Sequence, residues 1–312
     1  MSKPITTITA KELGLHGVKR YLIVVQPNML IRDALDVMSR NHITSLPIYS
    51  HSSTQITSIV NLFDILIHLV KDSKTVEFDE EEFRRLSEPL ENVLGLDGDM
   101  ESYRLHKSYD DDQLIDTLRA FASGIHRSIV IDPSDKAAPW LLSQTDILRY
   151  AQTNPECLTT LGIDLEMKIE NLFDHRTPPK LPTLITASPT DMTIEVYKKM
   201  GKNKIAAMPI IDEGKIISDI SIEDLPSADL TKPNHLSLPC YEFVKGLNKK
   251  TSLVLSKDET LRELLNGLIN SHVHRAWISN SSNKGEVESV ISMSDIISYI
   301  CHCHQAHPQN IV

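Results

Sequence analysis

The sequence predicts an α/β chain of the α+β type, built from four copies of one β-α-β-β-α unit. Three observations carry this. An apolar run closing in Asn-x-x-Asp or Ser-x-x-Asp returns four times, ending at Asp64, Asp146, Asp224 and Asp295, with spacings of 82, 78 and 71 residues. Such self-similarity marks a repeat architecture. Within each copy the apolar spacing switches between strand and helix periods. Thr153-Asn154-Pro155 then breaks the chain near its midpoint. One unit of three strands and two helices cannot cover both faces of its small sheet, so units are expected to pair. The expected domains are 1–155, with copies at about 17–71 and 86–152, and 156–312, with copies at about 165–228 and 236–304.

Each element follows from local pattern. Tyr21 to Val25 is β-rich and ends at Gln26-Pro27, a first strand. Ile31, Leu35 and Met38 recur at helical spacing, predicting a helix over 28–41. Thr44 to Tyr49 and Ile56 to Val60 read as strands, and Asn61 starts a closing helix. An acidic connector, Glu77 and Asp79 to Glu82, reads as a solvated helix start, and Leu86 to Asp99 as a linker helix and loop. Copy two has a strand near Tyr103, a helix carrying Leu114, Leu118 and Phe121, strands 127–131 and 140–142, and a helix from Ser143. Pro178-Pro179 and Pro182 lead into copy three, with a strand over 183–186 and a helix carrying Met192, Val196 and Met200. Its strands 206–211 and 215–220 are joined by the hairpin turn Asp212-Glu213-Gly214, and Pro226 shortens the closing helix. Copy four has a strand over 252–255, a helix carrying Leu261, Leu264 and Leu268, strands 275–279 and 288–291, and a long helix from Ser292.

Bulk properties narrow the function. The net charge of −10 does not favour a nucleic-acid or anionic membrane partner, and no run of 18 apolar residues occurs. Met1 to Ala10 contains no apolar core segment of a signal peptide. Four cysteines, at 157, 240, 301 and 303, form no disulfide framework and suit a reducing compartment, cytoplasmic or nuclear. No Gly-rich phosphate loop, nucleophile elbow or catalytic carboxylate pair is present, so an enzyme is not expected. Cys301-His302-Cys303-His304 with His307 holds metal-ligand residue types, but on a helix positions two apart point to different faces, so no metal site is expected.

The four phrases are His42-Ile43-Thr44-Ser45-Leu46-Pro47-Ile48 with Asn61-Leu62-Phe63-Asp64; Gly124-Ile125-His126-Arg127-Ser128-Ile129 with Ser143-Gln144-Thr145-Asp146; Lys204-Ile205-Ala206-Ala207-Met208-Pro209 with Ser221-Ile222-Glu223-Asp224; and His272-Val273-His274-Arg275-Ala276-Trp277 with Ser292-Met293-Ser294-Asp295. They resemble cystathionine-β-synthase (CBS) repeats, two of which form a Bateman module, over about 17–304. Copies one and three carry Pro47 and Pro209, whereas copies two and four carry His-Arg. That alternation is similar to the γ regulatory subunits of AMP-activated protein kinase, whose repeats form a disc with adenine nucleotides at its centre.

The residues have two readings. An Asn or Ser start with an acid three positions on is a helix-capping arrangement. A carboxylate is equally matched to a pair of ribose hydroxyls, and the resemblance implies that role for Asp64, Asp146, Asp224 and Asp295, supported by Ser143, Ser221, Ser292 and Ser294. An arginine near a sheet start is either a surface ion-pair partner or a phosphate holder. The resemblance implies that His126, Arg127, His274 and Arg275 line a phosphate-binding channel. Ile43, Leu46, Ile205 and Met208 are candidates to sandwich adenine, or plain core. The pattern also departs from the kinase subunits: Thr44 stands where copy one usually has Arg, Thr145 where copy two has Lys, Asp146 where that copy has Arg, and Asn61 and Phe63 replace small polar residues. The basic cluster is thinner, which suits AMP better than ATP. The resemblance implies a non-enzymatic sensor of AMP, ADP or ATP that needs no other cofactor and has kinase α and β subunits as partners. Its rival is an interaction protein with partly vestigial sites, resembling the four-repeat fungal CBS proteins that restrain a protein phosphatase.

Overall fold

The computed structural model describes residues 2–19, 22–71, 84–96, 101–134, 137–172, 184–227, 236–247, 252–280 and 285–306. The acidic connector at 77 and 79–82, the prolines at 178, 179 and 182, and His307 lie outside them.

Copy one comprises α1 (Ile31–Asn41), β1 (Ser45–Tyr49), β2 (Ile56–Asn61) and α2 (Leu62–Val70). Copy two comprises β3 (His106–Tyr109), α3 (Leu114–Ala122), β4 (Arg127–Ile131), β5 (Trp140–Ser143) and α4 (Gln144–Thr153). The short helices α5 (Glu156–Thr159) and α6 (Ile169–Leu172) follow. Copy three comprises α7 (Thr193–Asn203), β6 (Ala207–Asp212), β7 (Lys215–Ser221) and a 3-10 turn, Ile222–Ser227, with Pro226 inside it. After α8 (Cys240–Gly246), copy four comprises β8 (Val254–Ser256), α9 (Leu261–Ser271), β9 (Arg275–Ser279), β10 (Val287–Ser292) and α10 (Met293–Ala306).

The first strand differs between copies. In copies two and four it pairs in parallel with the next strand, β3 with β4 and β8 with β9. In copies one and three it shrinks to a single parallel bridge, Val25 to Ile48 and Ala187 to Ile210. Tyr21 and Thr183, where those strands were expected to begin, are outside the described residues. The segment around Tyr103 is a 3-10 turn, Glu101–Tyr103, and the strand begins at His106. The expected hairpin turn is present: Glu213 and Gly214 have φ of 45° and 79°, the positive pair that a two-residue turn requires.

One join recurs in all four copies. The first helix ends in a left-handed residue, His42, Gly124, Lys204 or His272, with φ between 52° and 92°. The next amide, of Ile43, Ile125, Ile205 or Val273, reaches back to a carbonyl five residues earlier. This is the Schellman ending, whose second residue is typically apolar.

The contacts divide the chain differently from the halves at 155. One compact unit holds 1–22, 106–184 and 252–312, and therefore copies two and four; the other holds 23–105 and 185–251, copies one and three. The reason is that the helices as well as the sheets carry apolar stripes. In the two–four unit α10 packs on α3 and α9 on α4, so each copy's closing helix covers the other's opening helix. In the one–three unit α2 packs on α7, and the 3-10 turn at 222–227 packs on α1. Each unit has its own buried cluster.

Short lead-in segments complete the helix starts. The orphan amides of each first turn are met by a segment preceding another copy. Ile31 and Arg32 donate to Glu88 and Leu86; Leu114 and Ile115 to Ile8 and Thr6; Thr193 and Ile194 to Leu238 and Leu236; and Leu261 and Arg262 to Met167 and Leu165. The segments are anchored by buried apolar residues, including Ile5, Ile8, Leu90, Ile169 and Leu236. The segment ahead of copy one thus serves copy two and the reverse, and copies three and four exchange likewise. This exchange stays within each half of the chain.

Candidate functional site

Each Asp marker lies three residues beyond the end of a strand, and strand pairing places a particular residue opposite that end. In the two–four unit, Arg127 pairs with Ser143 and Arg275 with Ser292. The same register in the one–three unit puts Ser45 opposite Asn61 and Ala207 opposite Ser221. Arginine therefore stands opposite the capping serine in copies two and four, and a small residue takes its place in copies one and three. His126 and His274 immediately precede these arginines, and all four side chains are half-buried. The His274 carbonyl accepts from the Met293 amide at 3.0 Å, tying the basic pair to the start of α10.

All four aspartates cap. The backbone amides of Asn61, Ser143, Ser221 and Ser292 donate to Oδ2 of Asp64, Asp146, Asp224 and Asp295 at 3.5, 2.8, 2.7 and 2.7 Å. The hydroxyls of Ser143, Ser221 and Ser292 donate to the same oxygens at 2.6, 3.2 and 2.7 Å. Asp64, Asp146 and Asp224 are buried and Asp295 is half-buried, so copy four presents the most accessible carboxylate of the four.

The two helix starts of the two–four unit meet. The Gln144 amide group lies beside Ser294 Oγ, with Nε2 at 3.0 Å and Oε1 at 3.2 Å. Thr145 Oγ1 donates to Met293 Sδ at 3.4 Å. Equivalent positions of the two copies touch reciprocally, as at a two-fold interface. A cation also arrives from the N-terminal segment: Lys19 Nζ lies 2.6 Å from Asp146 Oδ2, with 29% of its side chain exposed. It brings positive charge to the start of α4. Arginine, serine hydroxyl and carboxylate gathered at a helix start can hold a phosphate and a sugar diol together.

Copy one, in the one–three unit, is closed at the corresponding place. Ser102 Oγ donates to Asp64 Oδ2 at 2.6 Å, and Asn61 Nδ2 to Glu101 Oε2 at 3.1 Å. Asp64 has no exposed surface. In copy three the fully buried Tyr197 donates its hydroxyl to the Ser221 carbonyl at 3.3 Å. Burial, reinforced by the charge of Asp224, raises its pKa well above the usual phenol value. Two of the expected adenine contacts lie in the core. Leu46 and Met208 have no exposed surface and belong to the unit's core, because inward strand positions beside a helix are filled by packing. Ile43 and Ile205, at the Schellman joins, are partly buried against that core.

Ser102, Glu101, Lys19 and Gln144 were not found from sequence. Their partners lie 38, 40, 127 and 150 residues away, and no local pattern encodes such meetings. Among the described residues no group of His, Cys, Asp and Glu could hold a metal ion. The Cys301 thiol is pushed up to about 11 by burial, and burial also raises that of Cys303. No helix among the described residues is long and apolar enough to cross a membrane.

The CBS domain family model matches residues 1–71 and 180–229. Protein SDS23 of Eremothecium gossypii is 23% identical over 86% of this chain and 59% of its own length. The 5'-AMP-activated protein kinase subunit gamma of Dictyostelium discoideum is 22% identical over 89% of this chain and 49% of its own. The chain thus spans about half to three-fifths of the length of these curated relatives. In structure it matches a Methanocaldococcus jannaschii protein described as a candidate archaeal homologue of g-AMPK, with a TM-score of 0.69 and 15% identity, covering 94% of this chain and 99% of that one. The chain thus carries segments that match the CBS domain, within a fold of four copies of the unit, and is similar to the γ subunits of AMP-activated protein kinase and to SDS23 proteins.

Proposed function

We propose that the chain is a non-enzymatic regulatory subunit that binds an adenine nucleotide at copies two and four, in the manner of kinase γ chains. The observation that carries this reading is the strand register: Arg127 opposite Ser143 and Arg275 opposite Ser292, each with an aspartate three residues on. In this reading Arg127 and Arg275 hold phosphate, His126 and His274 flank it, and Asp146 and Asp295 accept from ribose hydroxyls. Asp224 has no arginine opposite its serine, so copy three is a weaker anchor. AMP is favoured over ADP and ATP, because only two copies carry the His-Arg pair. Binding would bias the packing of the copies against protein partners, kinase α and β subunits, by its differential affinity for two states. We take 1–155 and 156–312 as two Bateman modules, on the strength of the lead-in segments exchanged within each half, and place the protein in cytoplasm or nucleus.

A second reading is an interaction protein that restrains a phosphatase. The closed carboxylate of copy one favours it, as do the SDS23 relatives taken with the resemblance to four-repeat fungal regulators. Isolation of the chain with its partners separates the two: kinase subunits support the first and a phosphatase the second. For the nucleotide itself, loss of a charge-assisted contact is worth roughly 1.5–3 kcal/mol. Arg275→Ala is therefore expected to weaken AMP binding at least several-fold by calorimetry while the thermal transition is retained. Unchanged affinity would refute the phosphate role.

A further inference from the structure

We infer that the turn Glu101–Tyr103 is an internal occupant of the copy-one site, standing where a ligand's sugar hydroxyls would sit. This rests on the reading of the aspartates as diol acceptors given above. Ser102 Oγ donates to Asp64 Oδ2 at 2.6 Å, as a ribose hydroxyl would. Glu101 Oε2 accepts from Asn61 Nδ2 at 3.1 Å, which fixes the turn to the capping residue of the same helix. Neither residue is a surface contact: Ser102 and Asp64 have no exposed area and Glu101 has 7%.

A third group shows that the place is built for polar company. Ser45, in the register position that arginine holds in copies two and four, is 2% exposed, and its Oγ has no hydrogen-bond partner. Opposite Asn61 in the strand register, it puts a neutral hydroxyl where copies two and four have arginine. The ligand class admitted when the turn withdraws is therefore a nucleoside held by its diol, with no requirement for phosphate. Copy one is thereby a self-closed site, and the Glu101–Ser102 pair decides its occupancy.

The test is calorimetric titration of the full chain and of a Glu101→Ala/Ser102→Gly variant with adenosine and with AMP. The variant is expected to bind one more equivalent of adenosine than the wild type, with AMP binding to that added site within about twofold of adenosine, and to lose the added equivalent when Asp64→Asn is introduced. An identical adenosine stoichiometry in a variant that still melts cooperatively would overturn the inference. Should the double variant not fold, Ser102→Ala removes only the hydroxyl. Adenosine should then raise its melting temperature more than that of the wild type, and an equal rise overturns the inference as well. The two levels separate cleanly. If AMP binding sensitive to Arg275→Ala persists while the added equivalent is absent, only the internal occupant falls. If neither protein binds AMP or adenosine, the diol role of the aspartates falls, and the inference with it.

Discussion

The two units are built from the same repeat and differ at the same four places. In the two–four unit the residues after the capping serines are Gln144, Thr145, Met293 and Ser294, which meet through side-chain contacts across the pair. In the one–three unit three of those positions are Leu62, Phe63 and Ile222, part of or packed against its core. The register position is arginine twice in the first unit, and serine and alanine in the second. One repeat pair has polar residues at three of these positions, Gln144, Thr145 and Ser294; the other has apolar residues at three. The fold tolerates both, because the capping aspartate satisfies its own helix whether or not a ligand is present.

The sharpest break of this contrast is in stability. Met208→Ala removes a fully buried side chain from the one–three core. It is expected to cost about 2–5 kcal/mol in chemical denaturation. AMP affinity should be unchanged in the fraction that remains folded, since Met208 is core rather than an adenine contact. A parallel loss of affinity would restore its role at a ligand.

A smaller effect comes from acid. His106 in the two–four unit has its pKa lowered from 6.5, chiefly by burial, against the opposing pull of Asp116 and Asp112. Its imidazole lies 3.1 Å from Thr117 Oγ1. The folded state favours the neutral ring while the unfolded chain takes up a proton near 6.5. This group's contribution is therefore fully present above that value, and is lost as the pH falls through it towards the lower folded pKa. His68 carries a shift of the same sign in the one–three unit, again chiefly from burial. Denaturation at about pH 7.5 and about pH 5.5 should show an acid loss that His106→Asn reduces. The same slope in the variant would assign the loss elsewhere.

Much of the fold was legible because its signals are local. The hairpin at Glu213-Gly214, the helix starts at Asn61 and Ser143, and the break of periodicity at Pro226 each announce themselves within a few residues. The lead-in segments were not legible. They carry only three to seven residues of 3-10 turn or short helix, too brief for a period to register, and they matter through carbonyls that any residue supplies. The interleaving of copies two with four and one with three was hidden for a related reason. An apolar helix stripe shows that a partner exists but not which copy provides it. At the candidate site the capping role of the aspartates was readable from spacing. Lys19 on Asp146 and Ser102 on Asp64 were not, because each is a meeting of distant segments.

The central claim is that phosphate is held only where arginine faces a capping serine. It is tested most directly by titrating AMP into the full chain and into the Arg127→Ala/Arg275→Ala variant by calorimetry. The account predicts measurable AMP binding by the wild type and a loss of at least about a hundredfold in the variant, from two lost charge-assisted contacts, with the cooperative melt retained. Wild-type affinity in the doubly substituted protein would contradict it.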